Sequence, residues 1–276
     1  MVLSNELWQK PPSGPTGLLN AGVYADGSDG YSHSPNGDTY YTRFAVSFWY
    51  RNDYATSIGT YMMGGNHGNG ADHGMTCVGG DGYVYCNAKY NNSNYHQIKS
   101  GSALSSAQRA TNTWHHYHFR AGSSGNLTVH IDGTEMISAT VTDYVDAFTR
   151  YQGYDANPLG VGNLSGGPSF SLKGVTYMAQ LIYTSGNSPH VVGDILNDDG
   201  EPIDALDLDG SGTELVTDRT GRTSGTGIWL FGANGTTSSL THNSAADGQG
   251  TNITMPSSLW ALSTDSNIFP ITGITA

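Results

Sequence analysis

The sequence contains few charged residues and no long apolar run. Only 12% of its 276 residues are Asp, Glu, Lys or Arg, against roughly 25% in an average globular protein. The net charge of −12 argues against a nucleic-acid backbone or an anionic membrane as partner. No apolar stretch reaches the roughly 18 residues of a membrane-spanning helix, and the first residues lack the pattern of a signal peptide. We therefore expect neither a membrane anchor nor conventional secretion.

Sustained helical periodicity is also missing. Thirty-eight glycines and ten prolines divide the chain into short pieces, and no window keeps apolar residues at i, i+3, i+4 and i+7. Alternating runs are present instead. FAVSFWY at 44–50 and VTYMAQLIY at 175–183 carry apolar residues on both faces, which predicts strands in the middle of a sheet.

The segment 113–135 predicts a β-hairpin. WHHYHFR at 114–120 and LTVHI at 127–131 alternate, AGSSGN separates them, and Asp132-Gly133 gives a turn. In the first run Trp114, His116 and His118 share one side of an extended strand. We expect one packed and one solvated face.

These motifs resemble the concanavalin A-like, laminin G-like jelly rolls. YADGSDGY at 24–31 is similar to that family's opening strand and turn, FAVSFWY to its core strand, TWHH…DG to its hairpin, and LGVG at 159–162 with LKGVTYMAQLIY at 172–183 to its closing strands. The resemblance implies an all-β, two-sheet antiparallel sandwich and suggests a carbohydrate ligand, although one fold serves many functions. It divides the chain into an N-terminal arm (1–20), a jelly-roll domain (21–190) and a C-terminal extension (191–276) packed on the sandwich.

The C-terminal extension suggests a setting. ILNDDGEPIDALDLDG at 195–210 and GTGIWLFGANG at 225–235 are similar in order to segments that follow such jelly rolls in marine phage structural proteins. We therefore expect a homo-oligomeric virion or decoration protein that is made in the host cytoplasm and displayed on the particle surface. Its terminal segments would hold other capsid or tail proteins, and its sandwich would bind cell-surface glycans.

Carbohydrate binding needs aromatic faces for sugar C–H surfaces and polar groups for hydroxyls, placed on loops that a rigid scaffold holds. Two loops supply them in the sequence. The candidate carbohydrate-binding residues are Asn66, His67, Asp72, His73, Tyr90, Asn92 and Tyr95. The same residue types also cover subunit interfaces.

Calcium is the one cofactor that the sequence suggests. DALDLDGSGTE at 204–214 partly matches an EF-hand loop but lacks its first ligand and its final bidentate acid, which leaves a looser site of Asp207, Asp209 and Glu214 or a solvated acidic turn. The family resemblance adds Asp26 and Asp29, whose alternative is an Asx turn. The histidines near 67–73 and 115–118 are interpreted as hydrogen-bonded structural residues rather than transition-metal ligands.

The two cysteines flank a predicted turn. If Asp81-Gly82 is a two-residue turn, outward pairing places Cys77 opposite Cys86, where a cross-strand disulfide is possible. Two reduced thiols in a hairpin are the alternative.

Catalysis has little support in the sequence. Jelly-roll glucanases use an E-x-D-x-E strand that sets paired carboxylates across the glycosidic bond, whereas this chain has four glutamates, none in such a motif. We expect a non-enzymatic protein. The alternatives are a polysaccharide-degrading glycoside hydrolase or lyase of the same fold, and an architectural capsid component without a ligand.

Overall fold

The computed structural model describes fifteen stretches of the chain. They are residues 22–25, 31–33, 44–52, 60–67, 71–77, 81–89, 95–122, 126–140, 159–161, 176–185, 190–202, 227–230, 253–254, 260–263 and 271. Within them the structure is almost entirely antiparallel β-sheet, which confirms the predicted all-β sandwich. The only helix of this part is a 3-10 turn at Val192–Asp194.

In the described part of the chain, fifteen strands form two sheets. In chain order they are β1 (Gly22–Ala25), β2 (Tyr31–His33), β3 (Phe44–Asn52), β4 (Thr60–His67), β5 (Ala71–Cys77), β6 (Tyr83–Lys89), β7 (Tyr95–Ala103), β8 (Trp114–Ala121), β9 (Asn126–Ile131), β10 (Thr134–Thr140), β11 (Leu159–Val161), β12 (Thr176–Ser185), β13 (Gly227–Leu230), β14 (Ile253–Thr254) and β15 (Trp260–Ser263). The eight-stranded sheet has the order β10-β9-β8-β3-β12-β1-β15, with β13 also paired to β12, and the seven-stranded sheet has the order β14-β2-β11-β4-β5-β6-β7. Chain after residue 190 thus supplies strands to both sheets.

The predicted core strands lie in the middle of the eight-stranded sheet, as their apolar residues on both faces require. FAVSFWY forms β3, which pairs with β8 on one side and β12 on the other. On one face of β3 the buried Phe48 ring stacks on Tyr117 of β8 with ring centroids 5.5 Å apart. Its opposite face carries Trp49, which is fully buried as well. A strand that is apolar on both faces is stable only with cover on each side.

The predicted hairpin is present, but one of its faces differs from expectation. β8 and β9 pair antiparallel, and Asp132 and Gly133 join β9 to β10 with φ values of 52° and 73°, which suits a two-residue Asp-Gly turn. The expected solvated face is wrong for β8, because Trp114, His116 and His118 are all buried.

The reason is a segment from beyond the predicted domain. Residues 190–202, here called the covering segment, lie against this face of the eight-stranded sheet. Leu196 packs in a buried cluster with Trp49, Trp114, Ala179 and Ile271. Complete burial of a leucine-sized side chain contributes roughly 2 kcal/mol. The covering segment therefore buries this part of the outer side of the eight-stranded sheet.

The cysteine prediction is wrong in register. Cys77 lies opposite Val84, and Met75 lies opposite Cys86, so the two cysteines do not face each other. The connection between β5 and β6 is longer than the two-residue turn that the sequence suggested. Cys86 is a free, buried thiol, and burial raises its pKa to about 12.

Candidate functional site

An exposed group of polar and aromatic side chains lies on β6 and β7 of the seven-stranded sheet. Tyr83 and Tyr85 alternate in β6 with the buried Val84 and are half-buried themselves. Lys99 of β7 lies directly opposite Tyr85. Because alternate residues of a strand point to opposite faces, these side chains share one surface. We call the group of Asp81, Tyr83, Tyr85 and Lys99 the tyrosine face.

Asp81 joins the tyrosine face into one hydrogen-bonded unit. Its carboxylate accepts hydrogen bonds from the Tyr85 hydroxyl at 2.5 Å and from Lys99 Nζ at 2.9 Å. The backbone N–H of Tyr83 donates to it at 3.2 Å. The hydrogen bond from Tyr85, followed by that from Lys99, lowers the pKa of Asp81 to about 2. The carboxylate therefore remains ionised at any ordinary pH.

Lys99 lies over the two rings. Its Nζ is 3.6 Å from the Tyr83 ring centroid and 5.3 Å from that of Tyr85, within the range of cation–π attraction. The hydrogen bond to Asp81 is the main cause of its raised pKa. The Asp81 and Lys99 side chains are each 43% exposed. The ion pair is thus ordered by its neighbours and still accessible to a ligand.

Part of the predicted carbohydrate set lies on the same side of the sheet. Asn66 lies opposite Asp72. The β5 residues on the same face as Asp72 lie opposite Tyr85 and the other β6 residues on the face of Tyr85. Tyr95 lies opposite Lys89, which alternates with Tyr85 along β6. Directly opposed residues share a face. By strand register, Asn66, Asp72 and Tyr95 therefore belong to the same side of the sheet as the tyrosine face.

The two histidines of the set are on the other side. His73 is next to Gly74 in β5 and therefore belongs to the other face of the strand. That face contains the β5 residues that lie opposite Val84 and Cys86. His67 lies opposite Ala71, on the same side as His73. The expected position in loops is wrong for five of the seven residues, because β4, β5 and β7 contain them as strand residues. Tyr90 and Asn92 lie outside the described residues.

The tyrosine face is not among the sites that the sequence predicts. Its signal is DGYVYC at 81–86, where two tyrosines at i and i+2 follow an Asp-Gly pair. From the sequence, this stretch is interpreted only as a turn between cysteines. The partner Lys99 was not predictable from the sequence. Its position opposite Tyr85 depends on the pairing of β6 with β7, and the register of this pairing shifts between Tyr83 and Tyr85.

The calcium candidates Asp26, Asp29, Asp207, Asp209 and Glu214 lie outside the described residues. Within the described part of the chain, no three His, Cys, Asp or Glu side chains converge as a metal site. The same part contains no helix that is both long and apolar enough to cross a membrane.

A second titratable group is buried between the eight-stranded sheet and the covering segment. What we call the buried histidine patch consists of the buried His116, His118 and His190 and of His130, whose side chain is 16% exposed. The His118 ring centroid is 5.6 Å from that of His130 and 5.1 Å from that of His190. His190 Nε2 is 3.1 Å from Ser47 Oγ of β3, and His118 Nε2 is 3.4 Å from the backbone oxygen of His190. His190 thus joins the covering segment to the sheet.

Several ring nitrogens of this patch have no hydrogen-bond partner in the structure. They are both nitrogens of His116 and the Nδ1 atoms of His118 and His130. Burial lowers the pKa of His116 to about 3 and that of His118 well below its ordinary value. Burial also lowers the pKa of His130. All three are therefore neutral at pH 7.

His115 has the opposite electrostatic environment. Burial lowers its pKa, but the hydrogen bond from its Nδ1 to Asp132 Oδ2 at 2.7 Å and the charge of that carboxylate outweigh burial, so the net pKa is raised. Asp132 Oδ1 also accepts the backbone N–H of His116 at 2.8 Å. The two side chains are only 5% and 7% exposed. This pair is enclosed by protein and stabilises the hairpin.

The chain matches a known family. Residues 26–174 match the laminin G-type model of the concanavalin A-like lectin/glucanases superfamily, which is more than half of the chain. No curated protein sequence matches it.

Solved structures show low-level similarity. The mouse laminin α1 chain domains LG4-5 share 17% identity with a TM-score of 0.42 over 60% of this chain and 41% of that chain. A putative carbohydrate binding protein from Bacteroides ovatus shares 14% with a TM-score of 0.41 over 60% of this chain and 43% of that chain. A SAP-like pentraxin from Limulus polyphemus shares 14% with a TM-score of 0.40 over 59% of this chain and 75% of that chain. The chain thus spans about two fifths of the laminin and Bacteroides chains.

Proposed function

Because the chain belongs to the laminin G-type family of the concanavalin A-like lectin/glucanases superfamily, we propose that it binds carbohydrate through the tyrosine face. The observation that carries the proposal is the group of Asp81, Tyr83, Tyr85 and Lys99, in which the two charged side chains are exposed and the two rings are half-buried. The Tyr85 ring, from whose centroid Lys99 Nζ is 5.3 Å away, offers an apolar face to sugar C–H groups, while the carboxylate and the ammonium can bond hydroxyls. Asn66, Asp72 and Tyr95 on the same side of the sheet extend the surface along a polymer chain.

We propose that the protein binds carbohydrate and does not cleave it. Glycoside hydrolysis needs a carboxylic acid that holds a proton near neutral pH and a second carboxylate across the bond. Asp81 is the only carboxylate of the tyrosine face, and its pKa of about 2 leaves it without a proton to donate. The buried His115–Asp132 pair is not accessible to a polysaccharide. A purified sample that produced new reducing ends or unsaturated products from a glycan would refute the binding role.

The setting we propose is the surface of a phage particle, with the sandwich exposed and attached to other capsid or tail proteins. Support comes from the sequence similarity of 195–210 and 225–235 to segments of phage structural proteins. Several copies on one particle would make weak sugar affinity effective through avidity. Antibodies against the recombinant chain should label particles from a host lysate in electron micrographs. Absence of the chain from purified particles would contradict this setting.

Binding is tested with a glycan array and the variant Tyr85→Ala. We expect the wild type to bind at least one glycan class and Tyr85→Ala to lose at least tenfold in affinity, because a stacking ring is removed. Tyr85→Phe keeps the ring and loses only the hydroxyl that bonds Asp81, so it should lose less. Val191, exposed on the covering segment, provides the control Val191→Ala. Equal binding by Tyr85→Ala and wild type would refute the tyrosine face as the site.

A further inference from the structure

We infer that the ligands of the tyrosine face are neutral glycans and that acidic glycans are rejected by Asp81. This inference rests on the proposed function and specifies its ligand class. Lys99 is the only cationic side chain among those described on the tyrosine face, and its Nζ already contacts the carboxylate at 2.9 Å. The ion pair leaves the quartet with no net charge to attract an anion.

Hydrogen-bonding chemistry supports the same ligand class. Asp81 accepts three hydrogen bonds, and its ionised carboxylate can only accept. A sugar hydroxyl donates and accepts at once, so one hydroxyl can donate to Asp81 and a neighbouring hydroxyl can accept from Lys99. A uronate or sulfate oxygen can only accept. It would gain a bond from Lys99 while its charge lies beside the charge of Asp81.

The charge of the whole chain acts in the same direction as the ion pair. The chain carries a net charge of −12, which adds long-range repulsion of polyanions.

Isothermal titration with two sets of polysaccharides tests the inference. The neutral set is laminarin, mannan and galactan, and the acidic set is alginate, polygalacturonate and chondroitin sulfate. We expect wild type to bind a neutral glycan at least tenfold more tightly than any acidic one. The affinity for the neutral glycan should change by less than about twofold between 50 and 300 mM NaCl, because no ion pair to the ligand forms.

The variant Asp81→Asn should raise the affinity for acidic glycans about fivefold, since a unit charge near the ligand is removed. Asp199→Asn, which removes the same charge from an exposed position on the covering segment, should not. An acidic glycan that binds as tightly as the neutral ones and is lost in Tyr85→Ala would overturn the ligand class while leaving the proposed function intact. If the difference in affinity between neutral and acidic glycans were the same in Asp81→Asn as in wild type, the role of Asp81 would be overturned. Binding of neither set would instead refute the proposed function.

Discussion

Acidification from pH 7 to pH 5 should destabilise this fold through the buried histidine patch. His116 is fully buried, and its folded-state pKa of about 3 lies far below the ordinary value of 6.5. Its contribution to stability is complete above pH 6.5 and is lost as pH falls towards the folded-state pKa, because the unfolded chain takes up the proton first. At pH 5 this loss is about 2 kcal/mol for one such histidine.

His118 is equally buried, and burial also lowers its pKa, so it should add to the loss of stability between pH 7 and pH 5. His130 acts in the same direction. His115 acts in the opposite one, because its raised pKa gives stability that is present below pH 6.5 and lost as pH rises. The net result should still be a loss on acidification, since the three lowered groups outnumber the single raised one.

Urea unfolding followed by tryptophan fluorescence at pH 7, 6 and 5 measures this slope, with Trp49 and Trp114 as reporters beside the patch. The matched variant is His116→Leu. Neither ring nitrogen of His116 has a hydrogen-bond partner in the structure, so a similar-sized apolar residue should leave stability at pH 7 within about 1 kcal/mol of wild type. Its loss between pH 7 and pH 5 should be about 2 kcal/mol smaller than that of wild type. Equal losses in the two proteins would show that His116 is not a buried neutral group and would refute the reasoning.

Three further predictions concern single side chains. Cys86 should resist iodoacetamide in the folded protein and react after unfolding, because its thiol is buried with a pKa of about 12; peptide mass mapping that shows alkylation under native conditions would contradict its position. Asp132→Ala should lower the free energy of unfolding by about 3 kcal/mol, because His115 Nδ1 and the His116 N–H lose their acceptor. Asp132→Asn, which keeps an oxygen acceptor and tolerates the positive φ, should cost less in the same urea titration. Gly133→Ala should cost about 1 kcal/mol, since its φ is 73° and a Cβ would lie 3.3 Å from Leu196 Cδ2; an unchanged thermal midpoint would argue against this contact.

The fold was predictable because its strongest signals are local. Alternation in 44–50 and 114–120, together with the Asp-Gly turn at 132–133, predicted strands and a hairpin that the structure confirms. The burial of the second face of β8 was not predictable from its own residues. His116 and His118 are polar and would suit a solvated face. Their burial depends on the covering segment, which is more than 70 residues away in sequence.

The candidate site was predictable only in part. Asn66, Asp72 and Tyr95 were selected for their residue type, and the sheet places them on the same side as the tyrosine face. His67 and His73 were selected by the same criterion and lie on the other side. A loop assignment cannot make this distinction, because only a strand register assigns a side to each residue. The predicted cysteine pairing was wrong because it also depended on a strand register. A connection between β5 and β6 longer than two residues moved that register by two residues.

The position of the covering segment limits how the proposed attachment to a particle could take place. The family match ends at residue 174, yet Leu196 and Ile271 fill the buried cluster over Trp49 and Trp114, and β15 pairs with β1. An attachment that withdrew 190–202 would expose this buried face and the unpartnered histidine nitrogens to water, and one that withdrew 260–263 would remove a strand partner of β1. The C-terminal part therefore cannot detach from the sandwich along its whole length to hold the protein on a particle. Attachment through this end of the chain must use residues other than those that close the eight-stranded sheet, so deleting 190–202 should abolish folding rather than only particle binding.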